Sequence, residues 1–276
     1  GVIGIEMAMI FSAFGAQVDV IELEERILPF MDPEVSRTMA GILGKRGIRI
    51  HTGTRCEGIS KTDKGLQVHM PGSSGLAADT VLVAAGRQPD LSCVEPGLVD
   101  IDHGRIKTDE FMETSSRGIY APGDINGRSM LAHSAFHMGT RAARNALGDR
   151  RPVDLRFVPS VVYGMPEAAG VGMTLPEASR DYEALSGVFP LAANGRSAAS
   201  GDTQGYVQIV SEKRYGQILG VHIVGQGASE IINEASALMA MEITIHELSE
   251  CIHAHPTVSE ALAEAAGVIL GTSVHL

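Results

Sequence analysis

The spacing of apolar positions predicts alternating helices and strands in the first part of the chain. Residues 4–14 carry apolar side chains at helical spacing, and a short apolar run follows at residues 18–22. A second helix is predicted from Asp32 to about Gly47, because Asp is a favourable cap and Pro33 fits a first turn. Further strands are predicted at residues 48–50, 66–70 and 80–84. This alternation indicates an α/β region with a mainly parallel, doubly wound sheet.

The pattern changes after a loop-rich middle segment. Residues 88–104 are rich in Pro, Gly and Asp, a sharp turn is predicted at residues 118–124, and a helix is predicted over residues 130–147. Strand-like runs become frequent from about residue 156, and those at residues 206–210 and 218–224 suit a hairpin. Two more strands are predicted at residues 158–163 and 168–173.

The end of the chain predicts two helices. One is expected to be capped by Ser229 and to run to about Met241, and the other covers about residues 257–266. Antiparallel strands followed by helices indicate a separate α+β domain. The sequence therefore divides into residues 1–87, 88–155 and 156–276.

Composition and charge restrict the classes of partner. The 276 residues, 44% of them hydrophobic, are enough for one large or two ordinary domains. A formal net charge of -11 would repel the phosphates of a nucleic acid. No stretch approaches the ~20 apolar residues of a membrane helix, and no secretory signal is recognisable. Cys56, Cys93 and Cys251 are far apart and show no metal-ligand spacing, so we expect no metal site and a reducing, cytoplasmic environment. Together with the charge and the apolar pattern, this predicts no nucleic-acid partner and no membrane association.

Gly1, Gly4 and Glu22 have the spacing of part of a Rossmann-like dinucleotide-binding motif. One glycine lets the backbone approach a pyrophosphate, the other lets helix and strand pack closely, and an acid about 20 residues on accepts the ribose 2′-hydroxyl. A carboxylate there favours NAD over NADP. The alternative is that the glycines only begin a helix and Glu22 only ends a strand. The first strand and first glycine of the motif would lie before Gly1, so we expect an NAD-binding region truncated at its N-terminus and doubtful NAD binding by this chain alone.

His255 and Glu260 are the candidate catalytic pair. Pro256 favours an extended His255 at the mouth of the last helix, and a carboxylate five residues on can reach back to the imidazole. Such a pair suits a general base, because the carboxylate fixes the tautomer of the imidazole and raises its basicity. A capping box between Thr257 and Glu260 explains the spacing equally well. A Cys251–His253 nucleophile is a weaker alternative, since those side chains would point apart.

Four motifs together resemble the C-terminal signature of dihydrolipoamide dehydrogenases, flavin- and NAD-dependent disulfide oxidoreductases. They are Ala-Gly-Arg-Gln-Pro at residues 85–89, Tyr-Ala-Pro-Gly-Asp at residues 120–124, and the segments at residues 227–235 and 253–260. The resemblance extends along the whole chain and favours the catalytic interpretation of His255 and Glu260.

The resemblance also implies roles for other residues. Asp124 would bind the ribityl chain of FAD, although an ordinary turn carboxylate is the alternative, and a helix starting at Leu131, Ala132 and His133 would point at the flavin. Glu6 and Gly86 would lie along the nicotinamide half of NAD. Residues 1–87 would be the NAD-binding domain without its first strand, residues 88–155 a remnant of the FAD-binding and central domain, and residues 156–276 the interface domain.

The same resemblance implies partners and a mechanism. Two subunits would pair as a homodimer through the C-terminal domain, so that His255 serves the active site of the opposite subunit. There it would deprotonate a dihydrolipoyl thiol, whose thiolate attacks the redox disulfide. The substrate would be carried by lipoyl domains of a 2-oxo acid dehydrogenase or related complex.

One departure from the family pattern is large. Members carry an N-terminal flavin domain with a Cys-x4-Cys disulfide, which this chain does not contain. We therefore expect the chain by itself to hold little FAD and to be inactive. Glutathione reductases use NADP, which Glu22 disfavours, and mercuric reductases carry a paired cysteine that the tail lacks. A soluble transhydrogenase, or an inert dimerisation and nucleotide-binding module, remains an alternative.

Overall fold

A computed structural model describes residues 1–72 and 74–276, and its backbone forms two compact units. Unit 1 consists of Gly1–Ala85 together with Pro159–Leu276, and unit 2 consists of Gly86–Val158. Unit 1 therefore joins the beginning of the chain to its C-terminal sheet and helices.

Unit 1 starts with two helices and two strands, α1 (Val2–Ala13), β1 (Asp19–Ile21), α2 (Pro33–Lys45) and β2 (Arg49–His51). Strands β1 and β2 pair in parallel, with Asp19 opposite Arg49. Helix α2 begins as predicted, because the Asp32 carboxylate accepts the backbone N–H of Glu34. These elements and their parallel pairing agree with the α/β expectation, whereas the complete doubly wound sheet stays a prediction.

A three-stranded antiparallel sheet follows, formed by β3 (Gly58–Thr62), β4 (Gly65–His69) and β5 (Leu76–Ala78). Strand β4 confirms the prediction at residues 66–70. The strand predicted at residues 80–84 is wrong. An extended segment becomes a strand only by pairing with a neighbour, and none of the described strands pairs with this one. Its apolar side chains are largely in solvent, with Leu82 50% and Val83 71% exposed.

Unit 2 contains the short hairpin of β6 (Ile101–Asp102) and β7 (Arg105–Ile106), a 3-10 turn at Asp124–Asn126, and helix α3 (Ala132–Ala146). Helix α3 confirms the helix predicted in this region. Its buried side chains Met138 and Ala142 pack against Met112. The helix therefore anchors the turn before it to the core of unit 2.

The C-terminal part of unit 1 is built on a five-stranded antiparallel sheet of order β10-β11-β12-β9-β8. Its strands and the helices between them are β8 (Ser160–Val162), β9 (Ala168–Gly172), α4 (Leu175–Asp181), β10 (Ala184–Pro190), α5 (Gly195–Ser200), β11 (Tyr206–Glu212) and β12 (Ile218–Val224). The predicted hairpin and its antiparallel partners are confirmed, whereas β10, α4 and α5 have no counterpart in the sequence prediction.

Three helices complete unit 1, α6 (Ala228–Ala240), α7 (Ile245–Ser249) and α8 (Glu260–Leu270). The prediction that Ser229 caps α6 is wrong. The cap residue is Gly227, and the Ser229 backbone N–H donates to the Glu167 carboxylate at 2.9 Å. A distant carboxylate thus satisfies the first turn, which a local pattern does not reveal. The last helix begins three residues later than predicted.

The core of unit 1 joins its two chain segments. Ile5, Leu28 and Met39 from the first segment are buried in one cluster with Val162 and Val224 from the second. Apolar burial of this kind contributes roughly 1.5–3 kcal/mol for each large side chain. Buried side chains of the first segment therefore pack against strands of the C-terminal sheet.

Candidate functional site

The loop between α7 and α8 places His255 beside Glu260. The Nδ1 atom of His255 lies 2.8 Å from Glu260 Oε1, and Glu260 Oε2 accepts the backbone N–H of Thr257 at 2.8 Å. Since a carboxylate only accepts, Nδ1 carries the proton of the neutral ring and the lone pair lies on Nε2. The pair therefore presents Nε2 as a proton acceptor.

The complete capping box between Thr257 and Glu260 does not form. Helix α8 begins only at Glu260, after Ser259, and the Thr257 hydroxyl donates to the Ala254 carbonyl at 2.7 Å. Only the backbone half of the box is present, through the Thr257 N–H. One carboxylate thus serves the loop backbone with one oxygen and the imidazole with the other.

Exposure and charge suit a base that meets a substrate from outside. The His255 side chain is 71% exposed, whereas that of Glu260 is 22% exposed. Burial tends to raise the pKa of the Glu260 carboxyl, but the hydrogen bonds from Thr257 and His255 outweigh it and keep this pKa below its usual value. Glu260 is therefore a carboxylate at neutral pH, and its charge stabilises a protonated imidazole.

The predicted dinucleotide residues of unit 1 lie together at the start of α1 and the end of β1. The Gly1 nitrogen is 3.1 Å from Glu22 Oε2, and Glu22 Oε1 accepts the backbone N–H of Glu24 at 3.2 Å. A side chain at Gly1 would meet no atom within 4 Å, and one at Gly4 only Ala84. The backbone here is thus open to a close approach, as a pyrophosphate requires.

The acidic residues of this region have defined partners. Burial tends to raise the pKa of Glu22, but hydrogen bonds from Glu24 and from the Gly1 nitrogen outweigh it, so this pKa lies below its usual value. Glu6, on α1, accepts the backbone N–H of Tyr163 at 2.8 Å. Glu22 is thus ionised at neutral pH, and Glu6 also ties α1 to the residue after β8.

In unit 2, Arg87 contacts Asp124 and the residue that precedes the predicted start of α3. Its guanidinium lies 3.4 Å from the Asp124 carboxylate and donates to the Met130 carbonyl at 2.6 Å. Gly86, with φ 117, precedes this arginine, and Gly123, with φ 86, turns the chain into Asp124. Leu131 is the cap residue of α3, and Ala132 and His133 form its first turn. Arg87 therefore joins the two predicted turns, a contact that the sequence did not indicate.

Sequence reasoning missed two residues that contact the loop bearing His255. Glu234 on α6 lies 3.0 Å from His253 Nε2, and Asn194, before α5, donates to the Thr257 carbonyl at 3.0 Å. Glu234 lies in the motif at residues 227–235, but that motif gave no role for its carboxylate. Asn194 precedes a helix too short to show a period, so it gave no signal.

Two features of the structure concern metal-ion ligands and membrane-spanning helices. Across residues 1–72 and 74–276, no three His, Cys, Asp or Glu side chains are grouped so as to hold a metal ion. Within the same described ranges, every helix is too short or too polar to cross a membrane.

Comparisons with known proteins cover almost the whole chain. A family model described as pyridine nucleotide-disulphide oxidoreductase matches residues 1–139, and one described as the dimerisation domain of such oxidoreductases matches residues 158–266. The dihydrolipoyl dehydrogenase of Thermus scotoductus is 37% identical, with 100% of this chain and 62% of that protein covered. The dihydrolipoyl dehydrogenase of Bacillus subtilis is also 37% identical, with 100% of this chain and 60% of that protein covered.

Solved structures also match nearly the whole chain. LpdA from Mycobacterium tuberculosis superposes with a TM-score of 0.89 at 28% identity, covering 96% of this chain and 59% of that one. The HOCl-induced flavoprotein disulfide reductase RclA from Escherichia coli superposes with a TM-score of 0.90 at 26% identity, covering 98% and 63%. The chain thus spans about three fifths of the length of the relatives it matches.

Proposed function

Since the chain belongs to the pyridine nucleotide-disulphide oxidoreductase family, we propose that it forms the base-bearing part of a dihydrolipoyl dehydrogenase. The resemblance predicted from the four sequence motifs is confirmed by curated relatives of that name. The single observation that carries the proposal is the 2.8 Å contact between His255 Nδ1 and Glu260 Oε1.

In the proposed reaction, His255 moves one proton. Nε2 accepts the proton of a dihydrolipoyl thiol, and the negative charge of Glu260 stabilises the imidazolium that results. The thiolate then attacks one sulfur of a redox disulfide, which forms a mixed disulfide and releases the other sulfur as a thiolate. Cys56, Cys93 and Cys251 are all free and exposed, so the disulfide in this proposal is supplied by residues outside these 276.

NAD would be held at the start of unit 1. Gly1 and Gly4 leave the backbone open to its pyrophosphate, and ionised Glu22 accepts a ribose hydroxyl but repels a 2′-phosphate. Glu6 would lie along the nicotinamide half, and Gly86 in unit 2 has the same proposed role. When bound, NAD accepts the electrons that the thiols release.

FAD would contact unit 2 through the turn at Asp124 and the first turn of α3. The Asp124 side chain is 43% exposed, so its carboxylate can bind a hydroxyl of the ribityl chain while Arg87 holds it in place. Leu131, Ala132 and His133 would direct the N-terminus of α3 towards the flavin. Bound FAD would supply the redox group that carries two electrons from the reduced cysteine pair to NAD.

The remaining parts of the proposal concern assembly. The dimerisation-domain match supports a homodimer through residues 158–266, in which His255 would serve the partner subunit. Lipoyl domains of a 2-oxo acid dehydrogenase or related complex would present the substrate. The three-part division at residues 87/88 and 155/156, the truncated Rossmann-like region and the inactivity of the chain by itself also stay predictions.

A chimera tests the proposal. Residues 1–276 replace the matching part of the Thermus scotoductus relative, and NADH formation from dihydrolipoamide and NAD is measured after dimer size and bound flavin are checked. General base catalysis contributes about 10²–10⁴-fold, so His255→Gln should lower kcat by about 100-fold or more. His103→Gln is the matched control, because His103 is 93% exposed and lies 3.7 Å from Asp102. Equal kcat in the two variants would contradict the proposal.

A further inference from the structure

The position of His255 depends on its backbone more than on packing of its ring. The side chain is 71% exposed, and it belongs to a stretch without helix or strand between α7 and α8. A displacement of about 1 Å in a catalytic group can lower a rate by about 100-fold. The groups that hold this stretch therefore control the base.

On the N-terminal side, His253 ties the loop to α6. Its Nε2 lies 3.0 Å from Glu234 Oε1 and its Nδ1 lies 3.2 Å from the Cys251 carbonyl. Both partners only accept hydrogen bonds, so the ring nitrogen that carries a proton donates to the partner it faces. The His253 side chain is 9% exposed, and α6 is anchored by the buried side chains of Ile231 and Ile232.

On the C-terminal side, Asn194 ties the loop to the start of α5. Its Nδ2 donates to the Thr257 carbonyl at 3.0 Å, and its Oδ1 accepts the Ser197 backbone N–H at 2.9 Å. Asn194 is 4% exposed, and a side chain at Gly195 would lie 3.9 Å from His255 Cε1. Asn194 therefore holds both the loop and the wall beside the imidazole.

We infer that Glu234 and Asn194 are positioning residues, which hold the backbone on the two sides of His255 so that its imidazole stays paired with Glu260. The effect of these two residues on the reaction rate rests on the proposed function. Their effect on the placement of the His255 ring involves residues of unit 1 alone and can be measured without turnover.

The first test uses the 276-residue chain and nitrogen NMR of its imidazole rings. The wild type should show His255 as a single tautomer with the proton on Nδ1. Glu234→Ala and Asn194→Asp should give an averaged signal of both tautomers, whereas Glu234→Gln, which keeps an acceptor, should resemble the wild type. Asn194→Asp keeps the acceptor for α5 but removes the donor to Thr257. Glu230→Ala, at an exposed position one turn earlier on α6, is the control.

The second test separates positioning from stability in the chimera. Glu234→Ala and Asn194→Asp should lower kcat by about 10- to 100-fold, with KM within about twofold and with rescue in Glu234→Gln. An unchanged His255 tautomer, or a lower Tm with unchanged kcat, would overturn the inference. If His255→Gln itself leaves kcat unchanged, the proposed function fails, and the NMR result still decides whether Glu234 and Asn194 hold the loop.

Discussion

Replacing Glu260 by Gln tests how the carboxylate supports the base. The substitution keeps an amide oxygen that can accept the Thr257 N–H or the His255 Nδ1 proton, but it removes the negative charge and one of the two acceptors. A hydrogen bond to a charged group contributes about 1.5–3 kcal/mol, which corresponds to about 10- to 150-fold in rate. Because the His255 side chain is 71% exposed, solvent screens part of this energy, and we expect about 10-fold in kcat.

The assay is the pH dependence of kcat in the chimera. Without the carboxylate, the imidazolium that forms during the reaction loses its neighbouring charge, so the plateau of kcat should fall by about 10-fold. Glu264→Gln is the matched control, since Glu264 lies one turn further along α8 and pairs with His275 at 2.7 Å. If Glu260→Gln keeps the plateau of the wild type, the carboxylate does not act on the base.

Three further predictions concern stability and cofactor choice. The Arg49 guanidinium holds the pKa of Asp19 at about 2 against an ordinary 3.8, so Asp19→Asn should cost roughly 0.5–1 kcal/mol in urea unfolding at pH 7. The difference in the free energy of unfolding between wild type and Asp19→Asn should vanish as the pH falls from about 4 to about 2, because a carboxyl with a lowered pKa stabilises the fold only while it is ionised. A difference that stays constant over this range would contradict the prediction. Glu22→Gln should lower the preference for NAD over NADP by about 10-fold in calorimetric titration of the chimera, through loss of one charge-assisted hydrogen bond, and an unchanged ratio would remove Glu22 from the ribose site. Glu167→Ala removes the acceptor of the Ser229 N–H and should lower the free energy of unfolding by about 1 kcal/mol. Equal urea midpoints would contradict a stabilising role for this contact.

Local patterns predicted the elements that carry their own signals. Asp32 and Pro33 mark the start of α2 in the sequence, and the cap is formed by those residues. The hairpin of β11 and β12 is marked by two apolar runs with a polar turn between them. A helix cap and a hairpin turn are formed by residues that are neighbours in the chain, so both can be recognised in a single sequence.

Elements that depend on distant partners were not predictable in the same way. The segment at residues 80–84 has a strand pattern but pairs with none of the described strands, and an N–H in the first turn of α6 donates to Glu167 from another part of the chain. For the site, spacing alone could not separate a capping box from a catalytic pair. The structure shows that Glu260 contacts both His255 and the Thr257 backbone. The contacts of Glu234 and Asn194 span 19 and 63 residues, which no local spacing encodes.

The most direct test of the central claim separates the two half-reactions of the chimera by rapid mixing. His255 is proposed to take the proton of a dihydrolipoyl thiol, so His255→Gln should slow flavin reduction by dihydrolipoamide by about 100-fold or more. Flavin reduction by NADH, which needs no thiol proton, should keep its wild-type rate. Equal slowing of both half-reactions, or of neither, would contradict the account.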